Sequence, residues 1–434
     1  MSLKTESTTT STERGGGERV SLSMAALHLL GVGLIQSTAM AVMFMLPVLA
    51  RREFGANKLE TLVVTAAPTI LFSLSIFWND YFSRRSMSRY LLVYWAIGCL
   101  PMALVAFAHS YWQLLVPHLI ASVGGAGFHP AAGGLLRSLY PERVRGRMYS
   151  ILWGGSMVVS AVMGYAIGEW LNRDSQAFRV YLPQIAGLQL VGVLVFIWVS
   201  HLSGHAGDRV IKGADERGRI RRLIEPVAHM SQILKADPVF ARYEAAYMTY
   251  GVGWMICYAL LPLLVTDKLN LPYDKVAEST HVAYLAAIVV MLYPAGLLMD
   301  RLGAVRSTGL SFALLTVYPI GYMLARNDHD LLISSVLYGM AHAGASVGWM
   351  LGPVSLAPSP DKVPQYVAIH ATLVGIRGKI FQGLGVLLYA MFGRFEIPLA
   401  LAAAAYAWSA IQMWQLHRRM KAGSGASGIG QRGE

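Results

Sequence analysis

Hydrophobic stretches long enough to cross a bilayer recur along the whole chain, separated by short polar segments. A helix needs about 20 residues, at 1.5 Å per residue, to cover roughly 30 Å of hydrocarbon. Twelve stretches meet this requirement, at residues 22–50, 60–78, 90–108, 111–136, 148–170, 180–203, 239–265, 276–299, 307–325, 331–352, 364–391 and 397–416. Strict alternation is absent and unpaired backbone groups are costly in lipid, so the pattern predicts an all-α membrane protein with twelve transmembrane helices.

One long polar interruption, residues 204–236, separates the first six stretches from the last six. We interpret it as a cytoplasmic linker between two six-helix bundles, residues 21–203 and 237–416. The tails are residues 1–20 and 417–434. The first tail is rich in Ser, Thr and Gly without an apolar pattern, which predicts a disordered segment, and no cleavable signal is expected.

The composition adds one property to this picture, which is the orientation of the chain in the membrane. The chain is 55% hydrophobic and carries a formal charge of +12, which would also suit nucleic-acid binding. However, 25 of the 36 Lys and Arg residues lie on the side of the tails and linker, 9 lie on the other side, and 2 lie inside the eleventh stretch. The positive-inside rule therefore predicts cytoplasmic termini in the plasma (inner) membrane, with the lipid bilayer and not nucleic acid as the partner.

Catalytic and metal-binding patterns are not found in the sequence. The two cysteines, Cys99 and Cys257, lie in apolar stretches and are expected to be packing residues. The loops contain no phosphate-binding glycine loop and no nucleophile elbow. We expect neither an enzyme nor a cofactor.

The two halves of the chain repeat one another. "NDYFSRRSMSR" follows the second stretch and "GLLMDRLGAVR" follows the eighth, which places Asp80 and Asp300 220 residues apart. Pro141 and Pro360, after the fourth and tenth stretches, are 219 apart. Such internal similarity is typical of secondary transporters built from two related bundles.

The six-plus-six arrangement, the central loop and the acidic-then-basic loops resemble the major facilitator superfamily of secondary transporters over about residues 22–416. The second loop matches the family pattern G-x-x-x-D-R-x-G. The first departs from it at Ile76, Tyr81 and Ser83. The resemblance implies two bundles around a central cavity that opens alternately to each side.

The resemblance also implies a cytoplasmic gate built from charged loop residues. The positions that match are Asp80, Arg84, Arg85, Asp300, Arg301 and Arg306. For the arginines, the alternative is that they only follow the positive-inside rule. Acidic residues contribute little to that rule, so it does not explain the two aspartates.

The eleventh stretch contains "HATLVGIRGKIFQG", which places Arg377 and Lys379 in a predicted membrane helix. A cation near the midplane needs a partner or a wet cavity. At 100° per residue, His370 shares a face with Arg377, whereas Lys379 lies about 200° away. Arg377 either binds an anionic solute through its planar fork or makes a structural interhelical contact. The acids in other spans, Glu169 and Glu244, are not expected at its depth.

Further candidates for substrate binding come from depth within the first, fourth, seventh and tenth spans, which line the cavity in that superfamily. They are Gln36, His129, Tyr250, Trp254 and His342. Each alone is more typical of packing than of ligand binding. His129, His342 and His370 are also candidate relays if a proton, rather than sodium, is the coupling ion.

We therefore predict a monomeric secondary transporter that moves a small anionic organic solute by alternating access. Two alternatives remain open. One is an exporter of amphiphilic or drug-like compounds, which a buried acid in the cavity would favour. The other is a non-transporting, receptor-like member of the superfamily, which the imperfect first loop would fit.

Overall fold

The chain folds into long helices in a computed structural model, which describes residues 22–83, 85–203, 230–359 and 362–429. No strand occurs within these ranges, and the all-α prediction is confirmed. Where one helical stretch continues directly into the next, both carry one label below.

The helices of the first half are α1 (Leu22–Val32 and Thr38–Glu53, joined by the π-helical turn Gly33–Ser37), α2 (Lys58–Leu71 and Ser75–Ser83, joined by the 3₁₀ turn Phe72–Leu74), α3 (Met87–Gly98 and Leu100–Leu104, ending in the 3₁₀ turn Val105–Phe107), α4 (Tyr111–Gly125 and Phe128–Leu139), α5 (Glu142–Arg173) and α6 (Phe178–Leu202).

The helices of the second half are α7 (Pro238–Leu263, ending in the π-helical turn Leu264–Lys268), α8 (Tyr273–Val276 and Ala283–Leu302, joined by the π-helical turn Ala277–Val282), α9 (Ala304–Leu315 and Val317–Leu324), α10 (Asp328–Leu356), α11 (Val363–Phe392) and α12 (Glu396–Ile429). A short helical segment at 230–236 precedes α7.

Within the described ranges, ten helices are long and apolar enough to cross a membrane. The two predicted spans outside this group are 60–78 and 364–391. The first falls on α2, which the 3₁₀ turn Phe72–Leu74 interrupts. The second falls on α11, where two cations lower the hydropathy. The multi-pass architecture is therefore confirmed, and the count of twelve spans stays a prediction.

Helices α1–α6 pack together as one bundle and α7–α12 as another. In the second bundle, α7 packs on α11 and α12, while α10 packs on α8 and α9. Successive helices run in opposite directions. The molecule thus has a linker side, where α6 ends and α7 begins, and a far side, where α1 ends and α8 begins.

The bundles meet along two seams, α2 against α11 and α5 against α8. The internal repeat relates α2 to α8 and α5 to α11, so the two seams are counterparts. Small residues allow this approach: a Cβ on Gly164 or Gly168 of α5 would overlap His281 or Ala277 of α8, and one on Gly378 would overlap Thr69 of α2.

Candidate functional site

A cavity of about 270 Å³ lies between the two bundles. The first bundle contributes an aliphatic and sulfur-rich wall from α1 and α2, formed by Met40, Met43, Phe44, Pro47, Val48 and Thr65. The opposite face, which we call the aromatic wall, comes from α7, α8, α9 and α10 and consists of Trp254, Tyr258, Tyr284, Tyr318, Tyr322 and Tyr338.

The aromatic wall is a connected stack. The ring of Tyr338 lies 3.9 Å from that of Tyr318 and 4.8 Å from that of Tyr284, centroid to centroid. The indole Nε1–H of Trp254 donates to the Tyr338 hydroxyl at 2.8 Å, and the Tyr318 hydroxyl donates to that of Tyr322 at 2.6 Å. Because these polar groups bond to each other, the wall presents a mainly apolar, aromatic surface to the cavity.

None of the described residues that line the cavity carries a formal charge at neutral pH with histidine neutral. Their polar groups are the tyrosine hydroxyls, Thr65, Thr280, Ser335 and the imidazole of His281. An apolar cavity with a few convergent polar groups suits an aromatic or amphiphilic molecule that makes few hydrogen bonds.

His281 connects this cavity to the α5–α8 seam. Its ring stacks on Phe44 of α1 with centroids 4.3 Å apart, and its Nε2 lies 3.1 Å from the Ser160 hydroxyl of α5. It sits in the π-helical turn Ala277–Val282, and such turns often occur at functional positions. Helical periodicity did not point to this residue, because a π-helical turn shifts the phase of the helix.

Arg377 is buried between α11 and α7, with 3% of its surface exposed. Its Nη1 donates to the backbone carbonyl of Tyr247. The guanidinium carbon lies 5.2 Å from the ring centroid of Tyr250 and 5.8 Å from that of Trp254. In this conformation the side chain therefore makes a structural interhelical contact. Its Nε has no hydrogen-bond partner among the described residues, and the neighbouring ring of Trp254 lines the cavity.

Glu244 and His370, which we call the buried pair, face each other across the same α7–α11 interface. The Nδ1–H of His370 lies 2.9 Å from both carboxylate oxygens of Glu244, and the two residues are 1% and 2% exposed. The sequence did not predict this contact. Glu244 meets His370, which lies seven residues before Arg377, and it forms no ion pair with Arg377.

The other predicted binding residues surround the cavity unevenly. His342 is buried behind the aromatic wall, its Nδ1 joined to the Tyr284 hydroxyl at 2.9 Å. Tyr250 stacks on Phe312 inside the second bundle, with centroids 4.5 Å apart. Gln36 is half-buried in the π-helical turn of α1. Among the predicted residues whose side chains the structure describes, only Trp254 lines the cavity itself.

His129 and Lys379 complete the set. His129 is exposed and its ring contacts that of Phe72 edge to face, with centroids 5.1 Å apart. The side chain of Lys379 lies outside the described residues.

The far side of the two bundles is closed by a group of contacts that we call the far-side latch. Arg51 of α1 binds Asp267 at the end of α7 through two hydrogen bonds, of 2.9 and 3.1 Å. The Tyr273 hydroxyl of α8 donates to Glu53 at 2.8 Å, and the ammonium of Lys58 lies 3.9 Å from the ring centroid of Tyr389. Arg52 also donates to the carbonyl of Leu271.

The predicted gate residues lie on the opposite, linker side. Asp300, Arg301 and Arg306 are exposed and form no ion pair with any described residue. Arg85 is exposed, its guanidinium 5.7 Å from the ring centroid of Tyr81. The side chains of Asp80 and Arg84 lie outside the described residues. Hydrogen bonds between described residues of the two bundles all lie on the far side or near mid-depth.

The tyrosines of the aromatic wall were missed at the level of sequence, where buried aromatic residues are usually core. A compositional signal was present, since thirteen of the 21 tyrosines fall in the second half of the chain. Which of these face a cavity depends on the packing of four helices.

Comparison with known proteins gives consistent results. The family model described as Major Facilitator Superfamily matches residues 29–388. The multidrug resistance protein MdtH of Sodalis glossinidius (strain morsitans) is 22% identical over 330 residues, covering 75% of each chain. The inner membrane transport protein YdhP of Escherichia coli (strain K12) is 22% identical over 395 residues, covering 85% of this chain and 95% of the relative.

Solved structures share the architecture. A POT family transporter in complex with 5-aminolevulinic acid has a TM-score of 0.70 at 13% identity, covering 90% of this chain and 95% of that one. A bacterial homologue of the human lysosomal transporter Spinster, inward-facing and unoccupied, has a TM-score of 0.60 at 15% identity, covering 91% and 94%. At these identities the likeness shows the fold alone.

Proposed function

The chain belongs to the Major Facilitator Superfamily, and on that premise we propose that it exports amphiphilic, aromatic drug-like solutes by alternating access. The observation that carries this proposal is the uncharged cavity between the aromatic wall and the wall of the first bundle, which contains Met40 and Met43. Methionine side chains adapt to different shapes, and fixed aromatic rings supply large contact areas, which together favour tolerant binding of aromatic molecules. The similarity to multidrug resistance proteins supports the same reading.

The mechanism follows from where the contacts between bundles lie. The far-side latch and both seams hold the far side closed. On the linker side, Asp300 and Arg306 are exposed and form no ion pair with a described residue. Opening the far side must break the latch, and closing the linker side must bring new contacts together. With the linker side cytoplasmic, as the Lys and Arg distribution predicts, the solute enters from the cytoplasm and leaves outside.

A small anionic solute is the second candidate. It is favoured by Arg377, whose cation lies directly behind the ring of Trp254 and close to the cavity. A rearrangement of α11 that freed the guanidinium from the Tyr247 carbonyl would give the cavity a positive charge. We rank this below export of aromatic compounds because Arg377 does not line the cavity in this conformation.

For the coupling ion we favour a proton over sodium. Sodium is a hard cation that needs several oxygen ligands, by analogy with other hard cations. No carboxylate lies among the described residues that line the cavity. We also propose that the protein works as a monomer, since one chain contains both walls of the cavity.

The experiment compares three fluorescent probes of different charge on purified protein in proteoliposomes: ethidium, Nile red and anilinonaphthalene sulfonate. We expect saturable transport of at least one aromatic probe. Tyr284→Ala, on the aromatic wall, should weaken binding by about 2 kcal/mol, or roughly thirtyfold. Tyr293→Ala, on the same helix but 76% exposed, is the matched control and should leave binding unchanged. Transport of a small organic anion such as succinate, with none of the aromatic probes, would instead establish the anionic candidate.

A further inference from the structure

The buried pair has a bonding pattern that leaves a place for one proton. With its Nδ1–H donated to Glu244, a neutral His370 presents its Nε2 lone pair as an acceptor. That Nε2 is buried and has no hydrogen-bond partner among the described residues. A buried polar atom without a partner is costly, and protein structures keep few of them without a function.

The charges around the buried pair make its proton number consequential. The titratable and aromatic groups that face it are Tyr243 and Tyr247 of α7, Trp349 of α10 and Arg377 of α11. When the imidazole is neutral, the carboxylate of the pair balances the guanidinium of Arg377. An added proton leaves a net positive charge in a site that water does not reach, where charges interact strongly.

Two contacts connect the buried pair to the transport machinery. Arg377 lies about two turns further along α11; the ring of Tyr247 contacts both its guanidinium and the imidazole of His370, and the guanidinium lies against Trp254, which lines the cavity. Further along α11, the Gln382 side chain donates to the Thr69 hydroxyl of α2 at 3.4 Å, across the seam between bundles. A change of one charge at the pair therefore acts on the cavity wall and on a helix that must move when the bundles rearrange.

We propose that Glu244 and His370 bind the proton whose movement across the membrane drives transport by this protein. The proposal rests on the function proposed above. The proton enters and leaves as the pair is exposed to each side in turn, and no covalent bond is made or broken. An acid and a base in contact suit this task, since either can hold the proton when the other is solvated.

The first test measures coupling in proteoliposomes that contain the full chain, with ethidium as the probe. Gradient-driven accumulation is measured under an imposed pH difference, and exchange is measured at equal pH. Glu244→Gln and His370→Gln should each lower the ratio of accumulation to exchange by at least about tenfold. A merely structural role would lower both rates together and leave the ratio at the parental value, and this result would overturn the proposal.

Two control variants match the pair in type. Glu169→Gln removes an acid whose one side-chain bond within the described part of the chain is to Arg173 of its own helix, at 2.8 Å. His118→Gln removes an equally buried histidine whose Nε2 bonds to the carbonyl of Val64. Both should keep the parental ratio of accumulation to exchange.

The second test does not depend on transport. Infrared difference spectra of the purified protein between acidic and alkaline pH should contain an imidazolium band that disappears in His370→Gln and persists in His118→Gln. An identical band in both variants would overturn the assignment of the proton to the pair. If the parental protein moved no ethidium, the proposed substrate class would fail, and the infrared assignment would still decide the proton site.

Discussion

Arg377 is a cation in a helix surrounded by hydrocarbon and other helices, and four features make this position tolerable. Its Nη1 bonds to a backbone carbonyl, aromatic faces surround the guanidinium, and the carboxylate of Glu244 lies on the same interface. The fourth feature is space: a Cβ at Gly251 of α7 would overlap the Cδ, Nε and Cζ atoms of Arg377. One glycine therefore allows a buried arginine to exist.

Gly251→Ala tests this account of a single residue. We expect the variant to lose about 1 to 3 kcal/mol of stability, because the methyl group must displace a fully packed side chain. Gly383→Ala is the matched control in α11, where a Cβ would meet nothing within 4 Å. It should stay within about 1 kcal/mol of the parent. Thermal unfolding in detergent, followed for both variants, checks the difference, and equal melting temperatures would contradict it.

At the scale of helices, the far-side latch concentrates charge where three helix ends meet. Arg51, Arg52 and Glu53 are consecutive at the end of α1, and Asp267 and Tyr273 flank the turn between α7 and α8. The bidentate bond of Arg51 to Asp267 is partly buried, with side chains 27% and 15% exposed. Such a pair stabilises one conformation over the other because its partners separate when the far side opens.

Asp267→Asn should shift the protein toward the far-side-open conformation by about 1 to 2 kcal/mol. The measurement is labelling of Met43→Cys, a cavity position, by a membrane-impermeant maleimide added from the far side. We expect faster labelling in Asp267→Asn and slower labelling in Asp300→Asn, because the linker-side charges are expected to stabilise the opposite conformation. Asp80→Asn should act like Asp300→Asn but more weakly.

Arg173→Gln is the control for far-side charge, since Arg173 pairs with Glu169 inside α5 and not across the bundles. It should leave the labelling rate unchanged. The double variant Arg51→Asp with Asp267→Arg, which exchanges the two charges, should be labelled at the parental rate. If Asp267→Asn and Arg173→Gln accelerated labelling equally, the faster labelling would reflect a general loss of surface charge and not the opening of the latch.

At the scale of the whole molecule, two bundles meet along two related seams, and the cavity lies between them. The internal repeat relates the α2–α11 seam to the α5–α8 seam, so each seam can open by a similar movement. The Lys and Arg distribution predicts the orientation in the membrane, because positive loops are retained in the cytoplasm. In the predicted orientation, the far-side latch faces the outside of the cell.

Single cysteines test this orientation in intact cells, in a background that carries Cys99→Ala and Cys257→Ala. Ser175→Cys, in the far-side turn between α5 and α6, should react with an impermeant maleimide added outside. Gly213→Cys, in the linker, should react only after the membrane is permeabilised. Reaction of the linker position from outside would reverse the orientation and, with it, the proposed direction of transport.

The candidate site shows where sequence reasoning ends. The position of Arg377 on the face shared with His370 followed from helical periodicity, since both residues do contact α7. Their partners did not follow, because Glu244 and the carbonyl of Tyr247 lie more than 120 residues away in sequence. Trp254 was placed at the cavity by depth alone, whereas Tyr250, one turn earlier, faces the bundle interior.

The sequence by itself determined that the chain is an all-α, multi-pass membrane protein of this superfamily, because hydrophobic length and the repeated loops are properties of single segments. It also determined that a buried cation needs an explanation. Only the tertiary structure decided that the cavity is uncharged and aromatic, that Glu244 meets His370, and that the far side is closed by an ion pair and neighbouring polar contacts. These features depend on the relative rotation and depth of separate helices, which the hydrophobic pattern of any one helix leaves free.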